Sequence, residues 1–242
     1  MKQRKKHNVS KKLVHFLVGL FTFPGIAMVN RLRIQGAENV AKLPDSNVLF
    51  VSNHQTYFVD VITLFHIFSA IRWGKREKLG VPYYLLNPFT NINYVAAEQT
   101  MKSSWMSRLF LLAGGITVRR TWNENSNEKR TGLDPSDTRK IQRSLQHNWV
   151  VTFPQGTTTP FAPARKGTAL IIKYHKPIVV PVVISGFSKA FHKTGLSLRK
   201  RGTKLTVTFK EPLVIDYEAS AHDITVQIME AIEQNKPMAL SA

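Results

Sequence analysis

His54 and Asp60 close a polar sequence, Asn53-His54-Gln55-Thr56-Tyr57-Phe58-Val59-Asp60, that follows the run Val48–Ser52 (VLFVS). A histidine takes up a proton near neutral pH. A carboxylate bonded to one ring nitrogen fixes the tautomer and stabilises the imidazolium formed at the other. Such a pair would deprotonate an alcohol so that it attacks an acyl carbonyl. Spacing constrains the geometry, because six residues apart on one continuous helix the two side chains stand about 120° apart. The pair therefore requires His54 in a strand-to-helix loop and Asp60 reaching back from the first helical turn. The bland alternative is a loop histidine and a helix-start aspartate favourable to the dipole.

Two further sequences could handle an anion. Gly114-Gly115-Ile116-Thr117-Val118-Arg119-Arg120 ends in adjacent arginines, and guanidinium groups suit phosphate bidentately. Phe153-Pro154-Gln155-Gly156-Thr157-Thr158-Thr159 reads as a turn whose backbone N–H groups and hydroxyls could face an anion or oxyanion, with Arg165 and Lys166 just beyond. The eight histidines are scattered, without H-E-x-x-H spacing, so no metal is expected. The absence of cysteine rules out disulfides, thiolate metal sites and a cysteine nucleophile. With no G-x-S-x-G elbow either, direct attack by the acceptor is simpler than an acyl-enzyme.

The elements that must position these residues alternate between short apolar runs and longer helical patterns, which predicts α/β architecture. Arg31–Gln35 reads as an edge strand. Val48–Ser52 and Trp149–Phe153 read as buried strands. Ile116–Arg120, Ile178–Ile184 (near an edge, because of Pro181) and Leu205–Phe209 are further strands. Helices are expected over Val59–Ser69, Ser103–Ala113, a stretch capped by Ser136 and running to about His147, Thr168–Tyr174 and the region of Ile224–Ile232. Asn123–Asp134 reads as a polar loop. The expected fold is a central, mostly parallel or mixed β-sheet flanked by helices. In such sheets ligands gather outside the carboxyl ends of the strands, where both polar loops would lie.

Composition adds a direction. The chain of 242 residues is long enough for a substantial core, and 34 Lys+Arg against 15 Asp+Glu give a net charge of +19. That excess calls for a polyanionic partner, either nucleic acid or an anionic membrane face. Basic residues fill the first twelve positions (Lys2, Arg4, Lys5, Lys6, Lys11, Lys12), and the apolar stretch Leu13–Val29 follows. It is at the low edge of the length that spans about 30 Å of hydrocarbon, and Pro24 interrupts it. No small-x-small cleavage site precedes Arg31 and Arg33, so removal as a signal is not expected. The preferred reading is an interfacial or re-entrant helical element held on anionic head groups. Residues 1–30 form this membrane-associating element and 31–242 one further domain. Against nucleic acid stands the lack of an aromatic-rich binding signature beside the second basic stretch, Lys193 to Lys204.

Taken in order, the pieces resemble the glycerolipid acyltransferases typified by bacterial 1-acylglycerol-3-phosphate acyltransferase. The family's N-H-x₄-D block is similar to Asn53, His54 and Asp60. Its G-x-I-F-I-x-R block is similar to Gly114–Arg120, its F-P-E-G-T-R block to Phe153–Thr158, and its V-P-V strand to Val180-Pro181-Val182. The resemblance implies that His54 is the general base with Asp60 as its partner. It also implies that Arg120 and the Gly156 turn hold the acceptor's phosphate, with Asn53, Gly114, Arg119, Pro154, Gln155, Thr157 and Arg165 as further substrate-binding positions. The donor would be acyl-CoA or an acyl carrier protein, no other cofactor is implied, and the acceptor would be a lysolipid. Thioester supply points to the cytoplasmic face of the inner (cell) membrane. Three departures stand out: five residues rather than four between His54 and Asp60, Gln155 for glutamate, and Thr158 for arginine. They leave open a different lipid alcohol as acceptor, such as an N-acyl amino acid lipid.

Overall fold

In the computed structural model, which describes residues 2–98, 105–118 and 135–235, a seven-stranded sheet is sandwiched between helices. In chain order its strands are β1 (Arg31–Gln35), β2 (Val48–Ser52), β3 (Ile92–Ala97), β4 (Gly115–Val118), β5 (Trp149–Thr152), β6 (Ile178–Ser185) and β7 (Lys204–Phe209). The spatial order is β1-β7-β6-β2-β5-β3-β4. β6, β2, β5, β3 and β4 run parallel, β7 turns back against β6, and β1 follows β7. The sheet is thus mostly parallel and mixed, as the alternating pattern predicts.

β2 is buried along its whole length at the middle of the sheet, which explains its unbroken apolar sequence. Its side chains alternate between two cores. Val48 and Phe50 face α1 (Lys2–Phe23), α2 (Ala37–Ala41) and α3 (Val59–Arg72). Leu49 and Val51 face α5 (Pro135–Leu145), α6 (Lys166–His175) and α8 (Ala221–Ala231). The remaining helices are α4 (Trp105–Leu112) and α7 (Phe187–Ala190).

Several expectations are revised. β6 is interior, with β7 and β1 outside it, so Pro181 is not near an edge. Its carbonyl accepts from Lys210 N and it has no N–H to return, so the β6–β7 ladder ends at Val182–Phe209. Ser136 lies inside the first turn of α5 rather than capping it, because Pro135, whose fixed φ suits a first helical position, already starts the helix. β3 is a strand that the pattern did not announce, since the alternation of Ile92-Asn93-Tyr94 is not continued by Val95-Ala96-Ala97. The Asn123–Asp134 loop lies outside the described residues.

At the N-terminus the α-helix begins among the basic residues and ends at Phe23, and a π-helical turn, Pro24–Met28, carries the chain to β1. α1 packs across α3 rather than standing apart. Lys11 Nζ donates to Ile92 O at 2.6 Å and to Asn93 Oδ1 at 2.8 Å, and His15 Nε2 lies 3.0 Å from Ala113 O. Thr22 Oγ1 meets His66 Nε2 at 3.1 Å, and His66 Nδ1 meets the Tyr84 hydroxyl at 2.8 Å.

Candidate active site

β2 ends at Ser52 and α3 begins at Val59, so His54 lies in the intervening loop and Asp60 is the second residue of the helix. His54 Nδ1 and Asp60 Oδ2 are 2.9 Å apart, with Asp60 fully buried and the His54 side chain 13% exposed. The fifth intervening residue is taken up by the turn that precedes α3. There the carboxylate organises its own loop: Oδ2 accepts from Gln55 N (2.6 Å) and Thr56 N (3.0 Å), and Oδ1 accepts from Thr56 Oγ1 (2.7 Å). Thr56 Oγ1 in turn accepts from Asp60 N at 3.2 Å. Threonine and aspartate thus satisfy the donors of a helix start, as in a capping box.

This geometry assigns the tautomer. A carboxylate oxygen can only accept, so Nδ1 carries the hydrogen and Nε2 keeps its lone pair. Among the described residues no group bonds Nε2. The ring stacks on Phe153, with centroids 3.9 Å apart and planes 21° apart, which links the loop after β2 to the loop after β5. The imidazole is therefore held from two sides while one nitrogen stays open to take a proton.

Around this pair the expected site residues divide. Asn53 Nδ2 donates to Ile184 O (2.9 Å) and its Oδ1 accepts from Ile184 N (2.8 Å), so its buried amide clamps β2 to β6 rather than facing a ligand. Gln155 is buried too: its Nε2 donates to Ala162 O (3.0 Å) and Gln234 Oε1 (3.2 Å), bracing the turn from inside. Pro154 O accepts from Arg165 N at 2.9 Å. Gly156 has φ 61°, and a Cβ there would lie 2.9 Å from Arg165 Nε, so the guanidinium lies against this exposed turn. Thr157 and Thr159 share a hydroxyl contact of 3.3 Å on the same turn. Together with His54, the Gly156 turn and Arg165 lie at the carboxyl-end rim of the sheet.

Gly114 does not belong to that rim. The ladders set Gly115 level with Tyr94, Tyr94 with Val151, and Val151 with Phe50. Gly114 is therefore level with Leu49, about 16 Å of strand rise below His54. A Cβ there would lie within 3.0 Å of Asn93 Oδ1, Ile92 O and Lys11 Nζ, at φ 117°. Close packing under α1 requires glycine at this position. Arg119 and Arg120 lie outside the described residues.

Sequence reasoning missed Thr56, Gln55 and the part played by Phe153. Gln55 Oε1 accepts from Phe187 N (2.9 Å) and Ser188 N (3.3 Å), and Tyr57 N donates to Lys193 O (2.9 Å), so the segment after β6 closes one side of the loop. Lys193 Nζ stands 5.9 Å from the Tyr57 ring centroid. Thr56 and Asp60 are four residues apart, one more than capping-box spacing, so the sequence did not announce their bond. The other two contacts join residues far apart in sequence. Among the described residues no group of three His, Asp or Glu side chains is placed to hold a metal ion.

An apolar cavity lies between α1, α3, α4 and the segment before β3. Ile62, Phe65, His66 and Ser69 of α3 line it, facing Val14, Val18, Gly19, Leu85 and Phe110. Ile62 is half a turn from Asp60, on the opposite face of α3, and neither His54 nor the Gly156 turn lines the cavity.

A family model described as Acyltransferase matches residues 31–185. Among solved structures, the chain is similar in fold to the 1-acyl-sn-glycerophosphate (LPA) acyltransferase PlsC from Thermotoga maritima. The TM-score is 0.55 and the identity 16%, over 97% of this chain and 81% of that one. No curated protein sequence matches.

Proposed function

The chain belongs to the acyltransferase family, whose match takes in more than half of it, and from that premise we propose that it moves a fatty acyl group from an acyl thioester to the hydroxyl of a lysolipid at a membrane surface. The acceptor favoured is 1-acyl-sn-glycerol-3-phosphate, giving phosphatidic acid. The observation that carries this reading is the 2.9 Å contact between His54 and Asp60, with Nε2 open on the rim beside the Gly156 turn.

In this scheme His54 Nε2 takes the proton of the acceptor hydroxyl as its oxygen attacks the thioester carbonyl. Asp60, bonded to Nδ1, stabilises the imidazolium. The tetrahedral intermediate collapses with cleavage of the C–S bond, and the imidazolium returns its proton to the departing thiolate. The products are an ester and a free thiol, from coenzyme A or a carrier protein, and no cofactor is consumed. Arg165 beside Gly156 supports binding of the acceptor's phosphate, with Arg119 and Arg120 as the other basic residues assigned to it.

The membrane reading rests on α1. Val9–Met28 is long and apolar enough to cross a membrane by length and composition, and Leu13, Leu17, Leu20 and Phe21 are exposed along one face while Lys11 and His15 are buried on the other. A helix bonded to the sheet on one side and apolar on the other suits a position in the interface. Acyl thioesters are made in the cytoplasm, so the cytoplasmic face of the cell membrane is the side proposed. Thr158, a neutral residue where the resembled family has arginine, favours as a second reading a lipid alcohol without a phosphate, such as an N-acyl amino acid lipid.

The test is mass spectrometry of lipids made by the purified chain from a panel of lysolipids with acyl-CoA and acyl carrier protein donors. His54→Ala should lower the rate by about 10²–10⁴-fold. An active parent whose rate survives that change would remove His54 as the base.

A further inference from the structure

A short 3₁₀ helix, Pro82–Leu86, lies against α1. Its inner residues, Tyr84 and Leu85, fill the core, and Leu85 packs so closely on α1 that a Cβ at Gly19 would collide with it. Its outer residues and the one before it do the opposite: Val81 is 58%, Tyr83 63% and Leu86 72% exposed. Nothing in the packing requires an aliphatic or aromatic residue at these three positions. Three exposed basic residues, Lys75, Arg76 and Lys78, come just before the turn, and Lys12 Nζ on α1 donates to Asn87 Oδ1 (2.7 Å) just after it.

We propose that Val81, Tyr83 and Leu86 form a second membrane contact, a wedge that enters the head-group region of an anionic bilayer beside the exposed face of α1. The inference rests on the membrane reading of α1 given above and extends it. Two observations select a lipid surface as occupant. The wedge is fastened to α1, the helix that carries the exposed apolar face, through the Leu85–Gly19 packing on its inner side and the Lys12–Asn87 bond. Its composition, aliphatic tips and a tyrosine with basic residues beside them, matches the sequence of environments from acyl chain through interface to anionic head group. The wedge also has a mechanical consequence. One helix lying in an interface leaves the protein free to roll about the helix axis, whereas a second contact beside it fixes the roll. The rim that carries His54 is then held at a constant angle to the lipid surface.

The absence of cysteine makes the test clean, because one introduced cysteine gives one labelled position. Leu86→Cys, Leu17→Cys on α1 and Val214→Cys, a position 92% exposed on the opposite side of the sheet, would each carry a polarity-sensitive fluorophore. The full chain would be mixed with vesicles of phosphatidylglycerol and phosphatidylcholine containing shallow spin-labelled lipid. Expected are a blue shift and quenching at positions 86 and 17, and neither at 214. Insertion at 17 with an unchanged signal at 86 overturns the wedge and leaves the membrane reading of α1 standing. No response at either position removes both. A blue shift at 86 that grows with protein concentration without vesicles assigns the patch to a second copy and overturns the proposal. Equal insertion into pure phosphatidylcholine overturns the role of the basic residues. The triple variant Val81→Ser, Tyr83→Ser, Leu86→Ser should weaken vesicle partitioning by about tenfold or more with little change in melting temperature, since all three residues are more than half exposed.

Discussion

Asp60 serves two purposes at once: it orients His54 and it holds the loop that carries His54. Three of its four partners are Gln55 N, Thr56 N and Thr56 Oγ1, so the imidazole sits on a backbone folded around the same carboxylate. The fifth intervening residue therefore does not separate the pair, because the turn wraps the side chain instead of lengthening the path to it. Thr56 is the residue on which this arrangement most depends without touching the imidazole. Thr56→Val removes one bond to a buried carboxylate oxygen and the acceptor for Asp60 N. It should cost about 1.5–3 kcal/mol of stability, measured by denaturant melts. Acyl transfer should fall in kcat more than in KM, while Thr56→Ser should restore most of both.

The elements are tied together by side chains that sequence patterns do not single out. Asn53 joins β2 to β6 through both of its amide groups, so Asn53→Ala leaves Ile184 N without its partner in a buried setting and Ile184 O with Gln55 Nε2 alone, at 3.2 Å. A loss of roughly 2–4 kcal/mol is expected, read as a lower denaturant midpoint at unchanged m-value. The fastening of α1 has a pH dependence of its own. Burial pulls His15 down to about 4, with Lys11 beside it adding to the fall against the bond to Ala113 O, and burial pulls His66 down to about 3. The unfolded chain takes up both protons near 6.5, so stability present above pH 6.5 is lost as pH falls toward 4. Lys11, lowered by burial from 10.5 to about 7, acts in the same sense at higher pH, adding stability as pH rises from 7 to 10.5. Thermal melts between pH 4 and 7 should show the acid-side decline, and the double variant His15→Gln, His66→Gln should flatten it.

For the molecule as a whole, the net charge of +19 is a long-range quantity, felt before any contact forms. If an anionic bilayer is the partner, association with phosphatidylglycerol vesicles should weaken steeply between 50 and 500 mM salt, as the Debye length falls from roughly 14 Å to roughly 4 Å. Partitioning that persists unchanged at high salt would assign the attraction to the apolar face of α1 alone. The same global view separates the two ends of the sheet. The rim with His54, the Gly156 turn and Arg165 lies at the carboxyl ends of the strands, while Gly114 and Lys11 lie near the amino ends and serve packing.

How much of this was legible in the sequence follows the range of each interaction. The α/β pattern, the central burial of Val48–Ser52, the edge position of Arg31–Gln35 and the need for His54 in a loop all come from local periodicity and spacing, which the sequence carries directly. Pro181, β3 and the use of Asn53 and Gln155 as internal braces were not legible, because each depends on which strand or loop lies alongside. The chain alone determined which chemical groups exist and on which kind of element they sit. Tertiary structure decided which of them still have a free hydrogen-bonding atom. A side chain's partners are set by strand order and by contacts between residues about a hundred or more positions apart, such as Asn53 with Ile184 and the stacking of Phe153 on His54.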